Sequence, residues 1–288
     1  MSKKNKKRMI ALDADEIAFA CTESSAEKGS MFGSEEGSVG GSTYKESLKP
    51  YKAKYKRLVN DVENEIAASM PGEVKGIRVI LSDSRSNFRY DFYPEYKGER
   101  SPRSKLFYRL RKWAEKEYGY KDNIEADDEV AYLVREKNWI GASMDKDLYR
   151  GVPGNWFNTH YMNRTFIDTS ILEARNFNLI QCLMGDPTDN IPALPKNPGD
   201  GLVHGTPTPG KRKPFKVTEK IAIELLDEYG WNWDGVVAAF ALKEVKVKYA
   251  IRNKRLVSMD QWSPKKGVIL WEPDKKKKIK KVKKVKKK

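Results

Sequence analysis

Nine acidic side chains occupy places where the sequence pattern ends a strand or begins or ends a helix. Asp13, Asp83 and Asp145 each follow a short apolar run, such as RMIAL before Asp13. Carboxylates that converge on one crevice repel each other, and divalent cations relieve that repulsion. Because no His or Cys accompanies them, the oxygen ligands favour Mg²⁺, with Mn²⁺ as a substitute. The candidate metal ligands are Asp13, Asp83, Glu125, Asp127, Asp128, Asp145, Asp147, Asp186 and Asp189.

Two such ions, about 3.5–4 Å apart, can bind the attacking water and the leaving oxygen of a phosphodiester. The acids would then act as ligands and not as the general base. Each acid also has an ordinary interpretation. Asp127 can be a helix N-terminal residue that the helix dipole favours, and Asp189 can be a turn residue. The placement of the whole set at strand and helix ends is what favours a metal site.

The elements that must position these acids alternate along the chain. Apolar runs predict strands at 8–12, 76–83, 138–145 and 267–273. Helical spacing of apolar residues predicts helices at 51–70, 127–137, 171–184, 217–230 and 236–256. This alternation predicts an α/β fold with a central, mostly parallel sheet flanked by helices. Ligand crevices in such sheets lie beyond the carboxyl ends of the strands, where the acids are expected.

The net charge of +16 is concentrated at the two ends of the 288-residue chain. Residues 275–288 contain eleven Lys, residues 3–8 contain five basic residues, and neither run contains an acid. Such runs suit polyanions, although a solubilising tail is an equal alternative. Residues 22–43 are rich in Ser, Gly and Glu and predict a surface loop.

The location of the protein follows from what the sequence lacks. No apolar run reaches the length of about 18 residues that spans a bilayer, so we expect no membrane partner. Acids from Asp13 onward interrupt the apolar stretch that a signal peptide needs after its basic start. Two cysteines make no disulfide framework, and a reduced, cytoplasmic setting is expected.

A second charged region lies within the neutral body of the chain. Residues 85–116 hold ten Lys or Arg against four acids, with eight aromatic residues interleaved. Cations for phosphates and rings for base stacking are the composition of single-strand binders. The ordinary alternative is an amphipathic helix whose aromatic side chains face the core.

Five ordered motifs make the sequence resemble the flap endonuclease/5′-to-3′ exonuclease family. They are IALDAD, VILSDSRSNFRYDFYPEYKGER, EADD, SMDKDL and LMGDPTDNIP, and the resemblance runs from about Ile10 to Gly230. The closing ILWEP and the long departure before residue 217 are most similar to stand-alone phage exonucleases. The resemblance implies a PIN-like 5′-nuclease core with an inserted basic arch.

The resemblance also implies roles for individual residues. Asp13, Asp83, Glu125, Asp127, Asp128 and Asp145 match a first metal cluster, and Asp147, Asp186 and Asp189 match a second. Lys97 and Arg100 match arch residues that steer the scissile phosphate, and Arg89 matches a basic residue at the base of the arch. Family members cut DNA at 5′ ends, in duplexes and flaps, to leave a 5′-phosphate and a 3′-hydroxyl. They also remove RNA from RNA–DNA hybrids.

The family's compact duplex-binding turn, which often holds K⁺, is altered here. Ala193 replaces the Gly that follows NIP, and residues 196–216 replace the Gly-rich turn. We therefore do not expect K⁺. A basic loop can contact the DNA backbone instead, although a flexible insertion explains it equally well. The candidate DNA-binding residues are Arg103, Lys105, Lys211, Arg212, Lys213 and Lys220.

The sequence thus predicts a metal-dependent 5′ nuclease that serves phage DNA replication or recombination, where replication proteins are further partners. We expect a basic arm at 1–8, a nuclease core at 9–190 with the arch at about 85–116, a duplex-binding portion at 191–273 and a lysine tail at 274–288. Two alternatives remain open. One is a ribonuclease H-like enzyme that removes RNA primers with the same site, and the other is a non-catalytic nucleic-acid-binding protein.

Overall fold

A computed structural model of the chain describes residues 7–22, 47–160, 162–204 and 215–274. The described strands are β1 (Arg8–Asp13), β2 (Val74–Ile80), β3 (Ile140–Ser143), β4 (Gly154–Asn158), β5 (Thr165–Thr169), β6 (Trp262–Ser263) and β7 (Gly267–Val268). The described helices are α1 (Asp15–Thr22), α2 (Lys49–Ser69), α3 (Lys105–Tyr118), α4 (Ala126–Lys137), α5 (Lys146–Gly151), α6 (Ile171–Met184), α7 (Glu219–Tyr229), α8 (Trp233–Leu242) and α9 (Val247–Val257).

The chain divides into two compact units that do not follow chain order. Of the described residues, the first unit takes 7–22, 47–88, 101–160, 162–174 and 262–267, and the second takes 89–100, 175–204, 215–261 and 268–274. Residues 89–100 of the predicted arch therefore group with the helical portion of the chain. The predicted domain boundaries at residues 190 and 273 stay predictions. The division into two units does not fall at these residues.

The first unit is built on a sheet with the strand order β2-β1-β3-β4-β5 among the described residues. Strands β2, β1, β3 and β4 are parallel, and β5 is antiparallel to β4. Ile10 and Leu12 of β1 are buried in its core, where Tyr55 and Ile66 of α2 also lie. The α/β fold with a mostly parallel central sheet is thus confirmed.

The second unit has a core of its own that the C-terminal helices form. Ala222 of α7, Phe240 of α8 and Leu256 of α9 are buried in one hydrophobic cluster. The prediction of one helix over 236–256 is wrong, because the chain turns between α8 and α9. Glu244 adopts a left-handed φ of 59°, and the Val245 N–H donates to the Phe240 carbonyl at 2.9 Å.

Other predictions are corrected in length or fall outside the described residues. The strand predicted at 267–273 is only the two residues of β7, paired with β6. The basic arm up to residue 6, most of the 22–43 loop and the tail from residue 275 are not described. Within the described ranges, no helix is both long enough and apolar enough to cross a bilayer.

Candidate functional site

Two of the predicted acids meet at the carboxyl edge of the sheet. Asp13 ends β1 and Asp145 lies two residues beyond β3, so the parallel pairing of these strands brings both to one edge. The Ser143 hydroxyl donates to Asp13 Oδ2 at 3.1 Å and accepts from the Asp145 N–H at 3.0 Å. Asp145 also caps α5, because its carboxylate accepts from the Asp147 N–H at 2.8 Å. Ser143 therefore fixes the spacing between the two acids.

The electrostatics of Asp13 are those of a crowded carboxylate. Burial, followed by the nearby charges of Asp15 and Asp145, raises the pKa of Asp13 from 3.8 to about 7. Hydrogen bonds from the Asp15 N–H and the Ser143 hydroxyl oppose this shift without cancelling it. Since neighbouring negative charge raises a carboxyl pKa, a cation at this edge would be stabilised.

Asp15 is a member of this group that the sequence prediction missed. It accepts from the Ser82 N–H at 3.1 Å and from the Ser82 hydroxyl, and Arg111 Nη1 approaches Asp15 Oδ1 to 2.8 Å. Ser82 in turn accepts from the Ala126 N–H at 2.8 Å. This network joins the start of α1 to the loop after β2 and to α3 and α4. The signal was present in the spacing of IALDAD, where Asp15 follows Asp13 by two residues.

Asp83 lies beyond the neighbouring strand β2 in quite different surroundings. Its Oδ1 accepts from the backbone N–H and the Nε–H of Arg85, and its Oδ2 accepts from the Ser86 hydroxyl and the Asn123 N–H. Burial raises the pKa of Asp83, but these hydrogen bonds outweigh it, led by the one from Asn123, and lower the pKa to about 2. A carboxylate offers about four lone-pair sites, so the structure uses Asp83 to hold its own turn.

The acids of the EADD motif surround the start of α4. Glu125 is the N-cap residue, and its N–H donates to Asp128 Oδ2 at 3.2 Å in a capping-box arrangement. Glu125 and Asp128 are buried, whereas Asp127 is half-buried in the first turn. The ordinary interpretation, in which these acids stabilise a helix N-terminus, therefore describes at least Asp128.

Asp186 and Asp189 belong to the second unit and share a tight loop. Gly185 opens the loop with a φ of +64°, and a Cβ there would lie 2.4 Å from the Ile191 carbonyl oxygen. The Asp186 N–H donates to the Ile191 carbonyl at 2.9 Å, and the Asp186 carboxylate accepts from the Thr188 N–H at 2.8 Å. Only glycine fits this approach, which explains the GD pair of the motif.

The structure pairs Asp189 with the two arch residues that the resemblance marks as phosphate-steering. Asp189 accepts from the Tyr96 hydroxyl at 2.8 Å, lies 3.7 Å from Lys97 Nζ and forms an ion pair with Arg100. The Lys97 N–H donates to the Asp189 carbonyl at 3.0 Å. Asp189 therefore orients two cations, a role that its assignment as a metal ligand did not include.

Arg89 has the position of a structural residue. Its side chain is buried, and its Nε–H and Nη2–H donate to the carbonyls of Leu256 and Ser258 at 3.2 and 3.4 Å. These contacts anchor the 89–100 segment to the end of α9. The role at the base of the arch that the resemblance implies for Arg89 stays a prediction.

The remaining candidates are surface cations. Arg103, Lys105 and Lys220 are exposed, and the Arg103 guanidinium lies 4.4 Å from the centre of the Phe19 ring. Lys211, Arg212 and Lys213 lie outside the described residues.

The acidic edge has the donor chemistry of a hard-cation site but not a preassembled coordination shell. Within the described parts of the chain, no group of three or more His, Cys, Asp or Glu residues is arranged to hold a metal ion. Asp13 and Asp145 nevertheless supply carboxylate oxygens, which are the ligands that Mg²⁺ and Mn²⁺ prefer.

No protein-family model matches the chain. Two curated relatives are 5′-3′ exonucleases from Buchnera aphidicola. The relative from the Acyrthosiphon pisum symbiont is 33% identical over 141 residues, which are 43% of this chain and 49% of that protein. The relative from the Schizaphis graminum symbiont is 29% identical over 140 residues, 42% and 49% of the two chains. The chain thus spans about half the length of the curated relatives that it matches.

The fold is shared with solved structures of a bacteriophage T5 protein. The T5 D15 protein co-crystallised with metal ions superposes with a TM-score of 0.57 at 18% identity, over 87% of this chain and 89% of that chain. A T5 D15 flap endonuclease variant, in a pseudo-enzyme–product complex with DNA and metal ions, gives 0.57 at 17% identity over the same shares. A T5 5′-exonuclease with bound zinc gives 0.54 at 18% identity, over 88% and 90%.

The fold is therefore that of the T5 5′-exonuclease, with a PIN-like core. Both comparisons confirm the resemblance to the flap endonuclease/5′-to-3′ exonuclease family and its phage members that the five motifs predict.

Proposed function

We propose that this protein is a metal-dependent 5′-to-3′ exonuclease and flap endonuclease that hydrolyses phosphodiesters at the 5′ ends of DNA. The curated relatives named 5′-3′ exonuclease and the T5 flap endonuclease fold support this class of enzyme. A role in phage DNA replication or recombination belongs to the same proposal, and the T5 origin of the structural neighbours supports it.

One observation carries the proposal: Asp13 is buried beside Asp15 and Asp145, at the edge where the parallel strands end. Its raised pKa means that the ionised carboxylate is costly there unless a positive charge is added. Asp83 accepts four hydrogen bonds, two of them from Arg85, that stabilise its ionised form, whereas the two that Asp13 accepts do not offset its burial and the nearby acids. The edge is therefore suited to a cation.

We assign Mg²⁺ as the natural ion, with Mn²⁺ as a substitute, and Asp13 and Asp145 as its principal holders. Bound divalent ions would supply a hydroxide nucleophile and stabilise the leaving 3′ oxygen. Ser143 donates to the Asp13 carboxylate and accepts from the Asp145 backbone N–H, and the Asp147 N–H donates to the Asp145 carboxylate at the start of α5. The other predicted ligands, including those of a second ion, remain candidates of this proposal.

The proposed contribution of Lys97 and Arg100 is to hold the scissile phosphate. In the structure both cations approach the Asp189 carboxylate, which a phosphate would replace as their partner. Guanidinium and ammonium groups bind phosphate oxygens through charge-assisted hydrogen bonds. Asp189 would thus keep the two cations oriented until substrate arrives.

The two alternatives predict different substrates. A ribonuclease acting on RNA–DNA hybrids would use the same ions, because this metal chemistry cleaves either backbone. A non-catalytic binding protein would hold DNA without cutting it. The acidic edge favours catalysis over simple binding, since clustered negative charge repels a nucleic-acid backbone in the absence of metal.

The test uses 5′-labelled duplex, flap and RNA–DNA hybrid substrates with the full chain, in Mg²⁺, Mn²⁺ or EDTA. We expect short 5′-labelled products in either metal and none in EDTA. Asp145→Asn should abolish release while keeping the α5 cap, because Asn caps helices as well as Asp does. Asp61→Asn, an exposed acid on α2, serves as the matched control.

Cleavage of hybrid alone would favour the ribonuclease. Tight binding of all three substrates, with no cleavage in either metal, would contradict the proposal and leave the binding protein.

A further inference from the structure

The first half of helix α2 carries a concentrated positive charge. Residues 49–57 hold five Lys or Arg and no acid, whereas residues 58–69 of the same helix hold three acids and no Lys or Arg. Acids near the N-terminus of a helix and cations near its C-terminus stabilise it, so α2 carries its charges in the unfavourable order. The N-cap residue, Leu48, makes no side-chain cap either. Helix stability therefore does not explain why the cations lie where they do.

Helix α3 carries a row of cations with the same spacing. Residues that are three, four and seven apart share one face of a helix. The two rows are Lys49, Lys52 and Lys56 on α2, and Arg109, Lys112 and Lys116 on α3. Lys52 is half-buried and the other five are exposed. Residues 105–116 contain one acid, Glu115, which pairs with the buried Arg111.

The two rows meet at the indole ring of Trp113. The Nζ atoms of Lys52 and Lys56 on α2 lie 5.3 and 5.7 Å from the centre of this ring, which belongs to α3. Lys56 Nζ also lies 2.6 Å from Glu117 of α3. The six cations of the two rows therefore form one continuous patch, which we call the α2–α3 basic surface.

This surface lies at the same end of the sheet as the acidic edge. The second half of α2 leads into the start of β2, so the first half lies towards the carboxyl ends of the strands. Accordingly, the Tyr55 hydroxyl donates to the carbonyl of Ala14, the residue after Asp13, at 3.4 Å. On α3, Arg111 Nη1 lies 2.8 Å from Asp15 Oδ1. A nucleic-acid backbone that approaches the acids would therefore meet compensating positive charge beside them.

We propose that the α2–α3 basic surface binds the phosphate backbone of duplex DNA next to the acidic edge. DNA is the partner because the inference rests on the proposed nuclease function, and rows of cations bind phosphates whatever the base sequence. Lys52 and Lys56 lie over the Trp113 ring, which leaves phosphate contact rather than base stacking as the chemistry of this patch. Single-strand binders depend on stacking, so the duplex is the favoured form.

The inference adds a DNA contact that the sequence prediction did not include. The predicted duplex-binding portion is 191–273, and the predicted arch begins at about residue 85, so the row on α2 lies outside both. The first unit would thus contribute duplex contacts of its own, directly beside its acids.

Photo-cross-linking tests the location with two alanines of one helix. Ala53 is exposed within the α2 row, and Ala68 is exposed in the acidic half of α2. The chain's own cysteines, Cys21 and Cys182, are buried, so an introduced cysteine takes a benzophenone label selectively. The probe is a short blunt-ended duplex, incubated with the full chain in EDTA.

We expect labelled Ala53→Cys to cross-link the duplex at least about tenfold more than labelled Ala68→Cys, since the labels are about 22 Å apart along the helix. Equal cross-linking from the two positions overturns the proposal. Stronger cross-linking of a single strand than of the duplex at Ala53→Cys overturns it as well.

The salt dependence of binding provides a second test with a matched control. Lys49→Gln combined with Lys112→Gln removes one exposed cation from each row. Lys75→Gln combined with Lys137→Gln removes two exposed cations at the opposite end of the sheet, where β2 starts and α4 ends. Urea unfolding of both double variants checks that the fold is kept.

Fluorescence anisotropy of the duplex in EDTA measures the association constant over a series of salt concentrations. The slope of its logarithm against the logarithm of salt should become shallower by about 2 in the first double variant, because each lost Lys–phosphate contact removes about 1. The control slope should stay unchanged. Equal slopes in the two double variants overturn the proposal.

These measurements are independent of cleavage, because EDTA removes divalent ions. A nuclease whose DNA does not touch this surface would fail them and still cut the 5′-labelled substrates in Mg²⁺. A protein that binds duplex here without cutting would pass them and release no product. Failure of this inference is therefore distinguishable from failure of the proposed function.

Discussion

Asp13 and Asp83 follow neighbouring parallel strands, and each residue is 8% exposed, yet their pKa values shift in opposite directions. The pKa of Asp13 rises to about 7, and that of Asp83 falls to about 2. Asp13 is surrounded by Asp15 and Asp145, whereas Asp83 accepts four hydrogen bonds from its own turn and from Asn123. Although the two residues expose the same fraction of their surface, burial of the carboxylate and neighbouring acids raise the pKa of Asp13, whereas hydrogen bonds lower the pKa of Asp83.

The largest expected effect is a difference in cleavage rate between variants of Asp145 and of Asp83. We expect Asp145→Asn, which alters a proposed ligand on the crowded side of the edge, to slow single-turnover cleavage at least about a hundredfold, because loss of even an outer-shell partner of a metal ligand costs about 10–100-fold. Asp83→Asn makes the same chemical change on the satisfied side and should cost less than about tenfold. Rapid-quench measurements at saturating enzyme and Mg²⁺ provide the comparison. Equal losses in the two variants would contradict the distinction between the acids.

The second expectation concerns stability without metal. Below about pH 4, the pKa of this carboxyl in the unfolded chain, Asp13 is neutral in both the folded and the unfolded state. As pH rises from about 4 to about 7, the folded state holds a proton that the unfolded state has lost, so the free energy of unfolding falls. Asp13→Asn should remove this loss and raise the free energy of unfolding at pH 8 by roughly 2–4 kcal/mol.

Urea unfolding in EDTA at pH 4 and pH 8 measures this effect. Little difference between Asp13→Asn and the unmodified protein is expected at pH 4. Added Mg²⁺ should stabilise the unmodified protein and have a smaller effect on Asp13→Asn, because ligands that bind only the folded state raise its stability. A lower free energy of unfolding for Asp13→Asn than for the unmodified protein at pH 8 would contradict the distinction between Asp13 and Asp83.

Asp83→Asn should change the free energy of unfolding in the opposite direction from Asp13→Asn. Because the folded pKa of Asp83 lies below its unfolded value, its contribution is present above pH 4 and is lost as pH falls through about 2. We expect the variant to lose about 1–2 kcal/mol at pH 7, where the Asn123 and Arg85 donors lose their charged acceptor. The same urea series at pH 7 and pH 2 checks this, and an unchanged stability at pH 7 would refute it.

The smallest expected effect concerns the second unit, where Asp189 pairs with the two cations Lys97 and Arg100. Lys97→Ala should slow single-turnover cleavage by about tenfold while changing the affinity for DNA little, since one charge-assisted contact contributes about 1.5–3 kcal/mol. Lys105→Ala, an exposed cation at the start of α3, should weaken binding and leave the cleavage rate nearly unchanged. An unchanged cleavage rate in Lys97→Ala would remove it from the proposed phosphate site.

The sequence by itself determined the framework that carries the site. Apolar runs ending in Asp13, Asp83 and Asp145 predicted strands β1, β2 and β3, and helical spacing predicted α2, α4, α6 and α7. The apolar pattern succeeds here because these helices have 11 or more residues and these strands end in buried residues, so local pattern and tertiary packing agree. Strands β4 and β5 were missed, because polar residues such as Asn155 and Asp168 interrupt their apolar pattern.

Only the tertiary structure decided what each site residue does. The sequence assigned the same metal-binding role to Asp13, Asp83 and Asp189, but their contacts in the fold differ. Asp13 lies among other acids, Asp83 accepts hydrogen bonds from its own turn and from Asn123, and Asp189 pairs with two cations. For Arg89 the resemblance implied only a basic residue at the base of the arch, whereas the carbonyls that accept from its guanidinium are more than 160 residues away in the chain. A carboxylate or a guanidinium has the same intrinsic chemistry everywhere in a sequence. Its pKa and its partner depend on which distant residues the fold brings within a few ångströms.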